Sequence, residues 1–103
     1  MINMIVNPLD TVFEALASLP RRQMLSFLSQ TALSTGELAD RFGMSPPAVS
    51  RHLAILQEAG LVSGERQGQR VLYRLDRDML LNALSRFAAE VDGPLRTARR
   101  EAI

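Results

Sequence analysis

The chain has 103 residues, 47% of them hydrophobic and 22% charged, with a formal net charge of +1, which is the composition of one ordinary globular domain and excludes a disordered or fibrous chain. It contains no cysteine, so disulfides, thiolate metal centres and thiol redox chemistry are excluded together. The apolar start Met1-Ile2-Asn3-Met4-Ile5-Val6 is too short for a signal-peptide core and no stretch reaches a membrane span, so a cytoplasmic protein without a membrane partner is expected.

In chain order, Asp10 to Leu19 places Val12, Phe13, Leu16 and Leu19 at helical spacing, and a second helix is predicted from Pro20 with Met24, Leu25 and Leu28 on its apolar face. Ser34-Thr35-Gly36-Glu37 has the S-x-x-E form of a capping box. Leu38 and Phe42 follow one turn apart before Gly43, which gives a short third helix with a glycine stop. Only Gly43 and Met44 then precede Ser45, an N-cap residue with proline at the first helical position. So short a connection forces a steep crossing.

The fourth helix runs toward Gly60 with Val49, Leu53 and Leu56 on its inner side. Stepping about 100° per residue puts Pro47, Arg51, Ala54 and Glu58 on the opposite face and Ser50 and Gln57 on its flank. After Gly60 the period becomes strand-like, and Gln67-Gly68-Gln69 joins two runs, Leu61 to Arg66 and Arg70 to Leu75, as a β-hairpin with its glycine where positive φ is needed. A last helix is predicted from near Asp76, with Leu80, Leu84, Phe87 and Val91 on one stripe and a stop at Gly93-Pro94. This is a single domain over 1–103, with a folded body over 10–92 and loosely held tails at 1–9 and 95–103. It is mainly α with a small β part (α+β): four helices, a hairpin and a closing helix, the order of a winged helix-turn-helix.

All twelve basic residues are arginine. Codon bias would give that result without any functional cause, so the positions of the arginines carry the argument. A helix entering the major groove needs small side chains near its start, hydroxyl groups for base edges or phosphates, and an arginine able to fork onto guanine. Ser45, Pro46, Pro47, Ala48, Ser50, Arg51 and Ala54 fit that need, and the N–H groups at the helix start are expected to hold a phosphate. Arg66 and Arg70, with Gln67 and Gln69 between them, flank the hairpin tip where a wing meets the DNA backbone. A generic helical hairpin with solvated strand-end charges, or a module that binds another protein, remains the competing reading.

The run from Ser45 through Val62 resembles the recognition helix of the ArsR family of bacterial repressors. The resemblance extends upstream through Ala15-Leu16-Ala17-Ser18-Leu19-Pro20-Arg21-Arg22 and downstream through Glu65 to Leu75, over about residues 11 to 90. It implies a homodimer that binds an inverted repeat in double-stranded DNA at its own promoter, with the first and last helices forming the dimer contact. The apolar stripes there, Val12, Phe13 and Leu16 on the first and Leu80, Leu84, Phe87 and Val91 on the last, agree with that arrangement. Metal-sensing members carry a cysteine pair in the third helix or Asp and His ligands in the last. Here the third helix has Thr35, Gly36 and Glu37, and the last has no histidine, so neither metal nor other cofactor is expected.

An effector is unassigned, and autorepressor-like members imply that control by protein concentration alone is an option. Leu19 stands before Pro20 where the family often has a capping aspartate, which predicts a local stability cost. The one histidine, His52, has no second ligand beside it, and a structural or phosphate-contacting role is expected. Ser50 and His52 lie two residues apart on one helix and point to different sides, so they do not form a nucleophile and base, and no enzyme is expected.

Overall fold

The computed structural model describes the backbone of residues 8–102 and the side chains of residues 8–92. The elements are α1 (Pro8–Leu16), α2 (Leu19–Leu28), β1 (Leu33–Ser34), α3 (Thr35–Phe42), α4 (Pro46–Glu58), β2 (Val62–Gln67), β3 (Arg70–Leu75) and α5 (Arg77–Ala102). Helices and hairpin follow the order expected for a winged helix-turn-helix.

Local chemistry sets most boundaries. Ser34 caps α3 in a complete capping box: its hydroxyl accepts from Glu37 N–H at 3.2 Å, and the Glu37 carboxylate accepts from Ser34 N–H at 2.8 Å. At the other end of the motif, Gly60 N–H donates to the Gln57 carbonyl and Leu61 N–H to the Leu56 carbonyl, both at 3.0 Å. This is a Schellman closure of α4. Gly60 has φ 78°, a conformation that costs a side-chain-bearing residue about 1–2 kcal/mol, and the buried Leu56 and Leu61 supply the accompanying apolar contact. The hairpin turns through Gly68-Gln69 between the paired Gln67 and Arg70. Gly68 has φ 66° at the first turn position, as a two-residue mirrored turn requires.

Three differences from the sequence reading have physical causes. The sheet has a third strand, β1, in the order β1-β3-β2, with Leu33 opposite Tyr73 and Ser34 opposite Leu72; two residues are too few to show an alternating pattern. The second helix begins at Leu19, capped by Ser18, whose hydroxyl accepts from Arg21 N–H at 3.4 Å. A serine one place earlier therefore does the work of the absent aspartate. Finally, α5 does not stop at Gly93-Pro94 but remains helical to Ala102, because the following Leu-Arg-Thr-Ala-Arg-Arg-Glu-Ala run consists almost wholly of strong helix formers. Residues 1–7 lie outside the described residues, as do the side chains of the 95–103 segment.

The core gathers one face from every helix: Val12 and Ala15 from α1, Met24 from α2, Leu38 from α3, Val49, Leu53 and Leu56 from α4 and Ala83 from α5, each at most 5% exposed. Leu33, Leu61 and Val62 seal it from the sheet side. Helix α4 is thereby clamped along its inner face by α1, α2, α3 and β2. Its outer face is free to meet another molecule.

Candidate nucleic-acid interface

Three buried residues on α4, Val49, Leu53 and Leu56, fix its rotation about its axis, and everything opposite them faces solvent. Pro46, Pro47, Ser50, Arg51, Ala54, Gln57 and Glu58 are exposed as the periodicity predicts, while Ala48 is half-buried. Arg51 is the one cation in that set, and among the described residues it has no hydrogen-bond or ion-pair partner.

The start of α4 departs from expectation. Pro46 and Pro47 have no N–H, Ala48 N–H donates to the Ser45 hydroxyl at 3.3 Å, and Val49 N–H donates to the Ser45 carbonyl at 3.1 Å. Of the four donors that usually make a helix start an anion site, two are absent at Pro46 and Pro47 and the Ala48 N–H is taken, which leaves only the Ser45 N–H. A phosphate arriving there meets the Ser45 hydroxyl proton and the positive end of the helix dipole, not a row of free amides.

In the wing, β2 is solvated from Ser63 onward, and Arg66, Gln67, Gln69 and Arg70 are all exposed. The two arginines are not equivalent. Arg70 lies 3.7 Å from the Glu37 carboxylate, which ties the wing to the first turn of α3, whereas Arg66 has no ion pair among the described residues. A second pair, Arg74 with Glu65 at 3.7 Å, crosses the hairpin. Glu37 has its pKa lowered chiefly by the Ser34 backbone N–H, which outweighs the opposing cost of burial, with smaller help from the Ser34 hydroxyl and from Arg70 and Arg41.

Sequence reasoning missed the residues that hold the motif to the rest of the domain. Arg21 donates from Nε to the Ala15 carbonyl at 2.7 Å and from its terminal nitrogens to the Glu14 carbonyl at 3.1 Å and to His52 Nδ1 at 3.3 Å. Arg22 donates to the Leu16 carbonyl at 2.7 Å. Together they cover the orphan carbonyls at the end of α1 and join that end to α4. His52 thus has the structural role. Burial lowers its pKa, and the charges of Arg21 and Arg51 lower it further, so the imidazole is neutral and accepts at Nδ1. The only signal in the sequence was an Arg-Arg pair one turn beyond the first helix.

The expected dimer stripe divides. Val12 is 1% exposed and belongs to the core, a correction to its expected place in a contact between copies: α1 turns that position inward against the rest of the domain. Phe13, Leu16 and Leu80 are half-buried, and Phe13 packs edge-to-face on Phe87 of the same chain at 5.2 Å. Leu84, Phe87 and Val91 stay 40%, 44% and 64% exposed, with Leu81 beside them at 52%.

The family description "Bacterial regulatory protein, arsR family" matches residues 20–63, from α2 through α4 to the start of the hairpin. Over 77 residues the chain is 32% identical to the transcriptional repressor SdpR of Bacillus subtilis, a match spanning 75% of this chain and 86% of that one. The chain belongs to the ArsR family. It is also 40% identical over 87 residues to the HTH-type transcriptional regulator KmtR of Mycobacterium tuberculosis, covering 81% of this chain and 65% of that one. Among solved structures, an ArsR-like transcriptional regulator from Rhodococcus sp. RHA1 superposes with a TM-score of 0.74 at 33% identity over 92% of both chains. A homodimeric winged helix-turn-helix DNA-binding domain from Mycobacterium bovis gives 0.69 at 28% identity, over 82% of this chain and 80% of that one. The fold of this ArsR-family chain is therefore the winged helix-turn-helix.

Proposed function

We propose that this ArsR-family chain is a homodimeric transcriptional repressor that binds an inverted repeat in double-stranded DNA through α4 and the β2–β3 wing, without a metal signal. The observation that carries the reading is the outer face of α4: small side chains and hydroxyls surround one unpaired arginine on a helix whose opposite face is locked into the core. Such a helix approaches base edges closely and does not roll when it binds. The wing adds Arg66 as a free cation for the flanking backbone, with Gln67 and Gln69 as amide donors. Two-fold pairing through the exposed α5 stripe would set two recognition helices about one DNA turn apart, roughly 34 Å, and so read an inverted repeat.

The repressor reading is supported by SdpR, a transcriptional repressor of which this chain spans 86%; HlyU of Vibrio cholerae, 41% identical over 64 residues, is a transcriptional activator. The reading without metal rests on the absence of cysteine and on His52, whose ring nitrogen already faces a guanidinium. A cation bound there would meet the charge of Arg21.

Purified protein should select a small set of genomic fragments, and its affinity for them should fall steeply as salt rises, because each phosphate contact releases counterions. Zinc, cadmium and arsenite at micromolar levels should leave that binding unchanged. A salt-independent interaction, or none with any fragment, would turn the assignment toward a protein-binding module.

A further inference from the structure

The bond between Arg21 and His52 has a fixed polarity. A guanidinium only donates, so the ring nitrogen 3.3 Å from it, Nδ1, must present a bare lone pair, and the imidazole must be neutral with its proton on Nε2. A second proton would turn that acceptor into a donor facing a permanent cation. The charges acting on the ring are those of Arg21, from α2, and of Arg51, its neighbour on α4. From the α1 side the ring is reached only through Arg21, whose other donors are fixed to the Ala15 and Glu14 carbonyls. Among the described residues no carboxylate of α1, α3 or β2 offsets the two cations. Nor does any other side-chain hydrogen bond among them join α4 to another helix.

We propose that the Arg21–His52 bond is a proton-operated latch on the recognition helix, closed while the ring is neutral and opened when the ring takes up a proton. The ring is half-buried, so an imidazolium there either swings toward solvent or drives Arg21 off its two carbonyls. In both cases α4 loses its tie to the end of α1 and keeps only the apolar clamp of Val49, Leu53 and Leu56. Burial, then Arg21 and Arg51, hold the pKa below the ordinary 6.5, so the latch is closed at neutral pH and opens in mild acid. The consequence for DNA rests on the function proposed above. The freed helix carries an added positive charge beside Arg51, which attracts any phosphate backbone, while the orientation that reads base edges is no longer held. Acid thereby lowers discrimination between sequences without abolishing binding.

Two measurements on the full chain test this, the first without DNA. His52 is the only histidine, so the imidazole nitrogens can be followed in ¹⁵N-labelled protein without ambiguity. Expected at pH 7.5 is a proton on Nε2 and none on Nδ1, with a titration midpoint below 6.5 that rises in Arg21→Met. His52→Asn puts an amide oxygen near the place of Nδ1 and does not titrate. Hydrogen-exchange protection of the α4 amides should match in the wild type and His52→Asn at pH 7.5. At pH 5.0 it should be about tenfold lower in the wild type, the effect of losing one hydrogen bond to a charged group. With DNA, the ratio of affinities for a selected genomic fragment and a scrambled duplex should fall about tenfold from pH 7.5 to 5.0 in the wild type, and stay level in His52→Asn. The latch is overturned by a proton on Nδ1 of the neutral ring, by a midpoint at or above the ordinary value, or by equal α4 protection at pH 5.0. An equal acid loss of discrimination in both proteins overturns it as well. If no fragment is selected, the proposed function fails, and the exchange measurement decides the latch by itself.

Discussion

Phe87 sits where the core ends and the proposed contact between copies begins, so its removal separates two energies. A phenylalanine ring offers about 200 Å² for burial. With Phe87 44% exposed, roughly half of that, ~100 Å², is covered within the chain, which at ~25 cal/mol per Å² is worth about 2.5 kcal/mol. The edge-to-face pair with Phe13 at 5.2 Å adds about 1 kcal/mol. Phe87→Ala should therefore lower the stability of an isolated chain by about 3.5 kcal/mol. The exposed half of the ring is worth at most a similar ~2.5 kcal/mol per copy when a partner covers it, ~5 kcal/mol per dimer, or three to four decades in the dissociation constant. Sedimentation equilibrium reads that second term, and guanidinium melts at two protein concentrations read both, because the midpoint of a dimer rises with concentration. A double-mutant cycle with Phe13→Ala should return the pair coupling of about 1 kcal/mol. If the wild-type midpoint is independent of concentration and Phe87→Ala costs only the intrachain term, the α5 stripe is not a contact between copies.

Arg51→Ala should weaken specific binding by about 1–3 kcal/mol and relax base preference at one position per half-site, read by competition among single-base operator variants; uniform weakening would make Arg51 a phosphate contact instead. Arg66→Ala should flatten the salt dependence of binding more than Arg70→Ala, because Arg70 is already shared with Glu37, and equal slopes for both variants would show that the ion pair opens on DNA. His52 and Glu37 both have folded pKa values below their usual ones, 6.5 for His52 and 4.5 for Glu37. Each therefore contributes stability that is complete above the unfolded value and is lost as pH falls through the folded one. Denaturation midpoints across pH should show a first decline beginning near 6.5, abolished by His52→Gln, and a second beginning near 4.5, abolished by Glu37→Gln. A profile flat down to pH 5 in the wild type would dismiss the first.

What the sequence could show depended on the range of the interactions. Caps and turns act within four residues, so Ser34-x-x-Glu37, Ser45-Pro46 and Gly68 were legible, and each occurs in the structure as expected. The outward face of α4 was equally legible, since rotation about a helix axis follows from which residues are apolar. What escaped was set by partners far along the chain. β1 exists because Leu33 and Ser34 meet Tyr73 and Leu72 some forty residues away. Val12 and Phe13 are adjacent and both apolar, and only the placement of α5 against α1 makes one core and the other an edge. The start of α4 failed for a different reason. The motif Ser-Pro-Pro was read correctly as a helix start, but two prolines and a serine hydroxyl that takes the Ala48 N–H leave only the Ser45 N–H of the four amides such a start usually offers.

That loss changes how the recognition helix would engage a duplex. A helix start with a row of free amides anchors on a phosphate and can be positioned by that contact; α4 keeps only the Ser45 N–H of that row, so most of its positioning must come from within the protein. The structure supplies this in two places. Along its inner face Val49, Leu53 and Leu56 lock it to the core, and at midlength His52 takes a hydrogen bond from Arg21, which is itself fixed to two carbonyls at the end of α1. Because the α1 carbonyls, Arg21 and the imidazole lie in series, any movement of α1 against α4 must break a charge-assisted bond or carry the recognition helix with it. α1 also packs on α5 through Phe13 and Phe87. The helix that would read bases is thus tied through Arg21 of α2 to α1, which packs on the α5 that presents the apolar stripe, and a change in how two copies meet would be felt as a change in the spacing of their recognition helices.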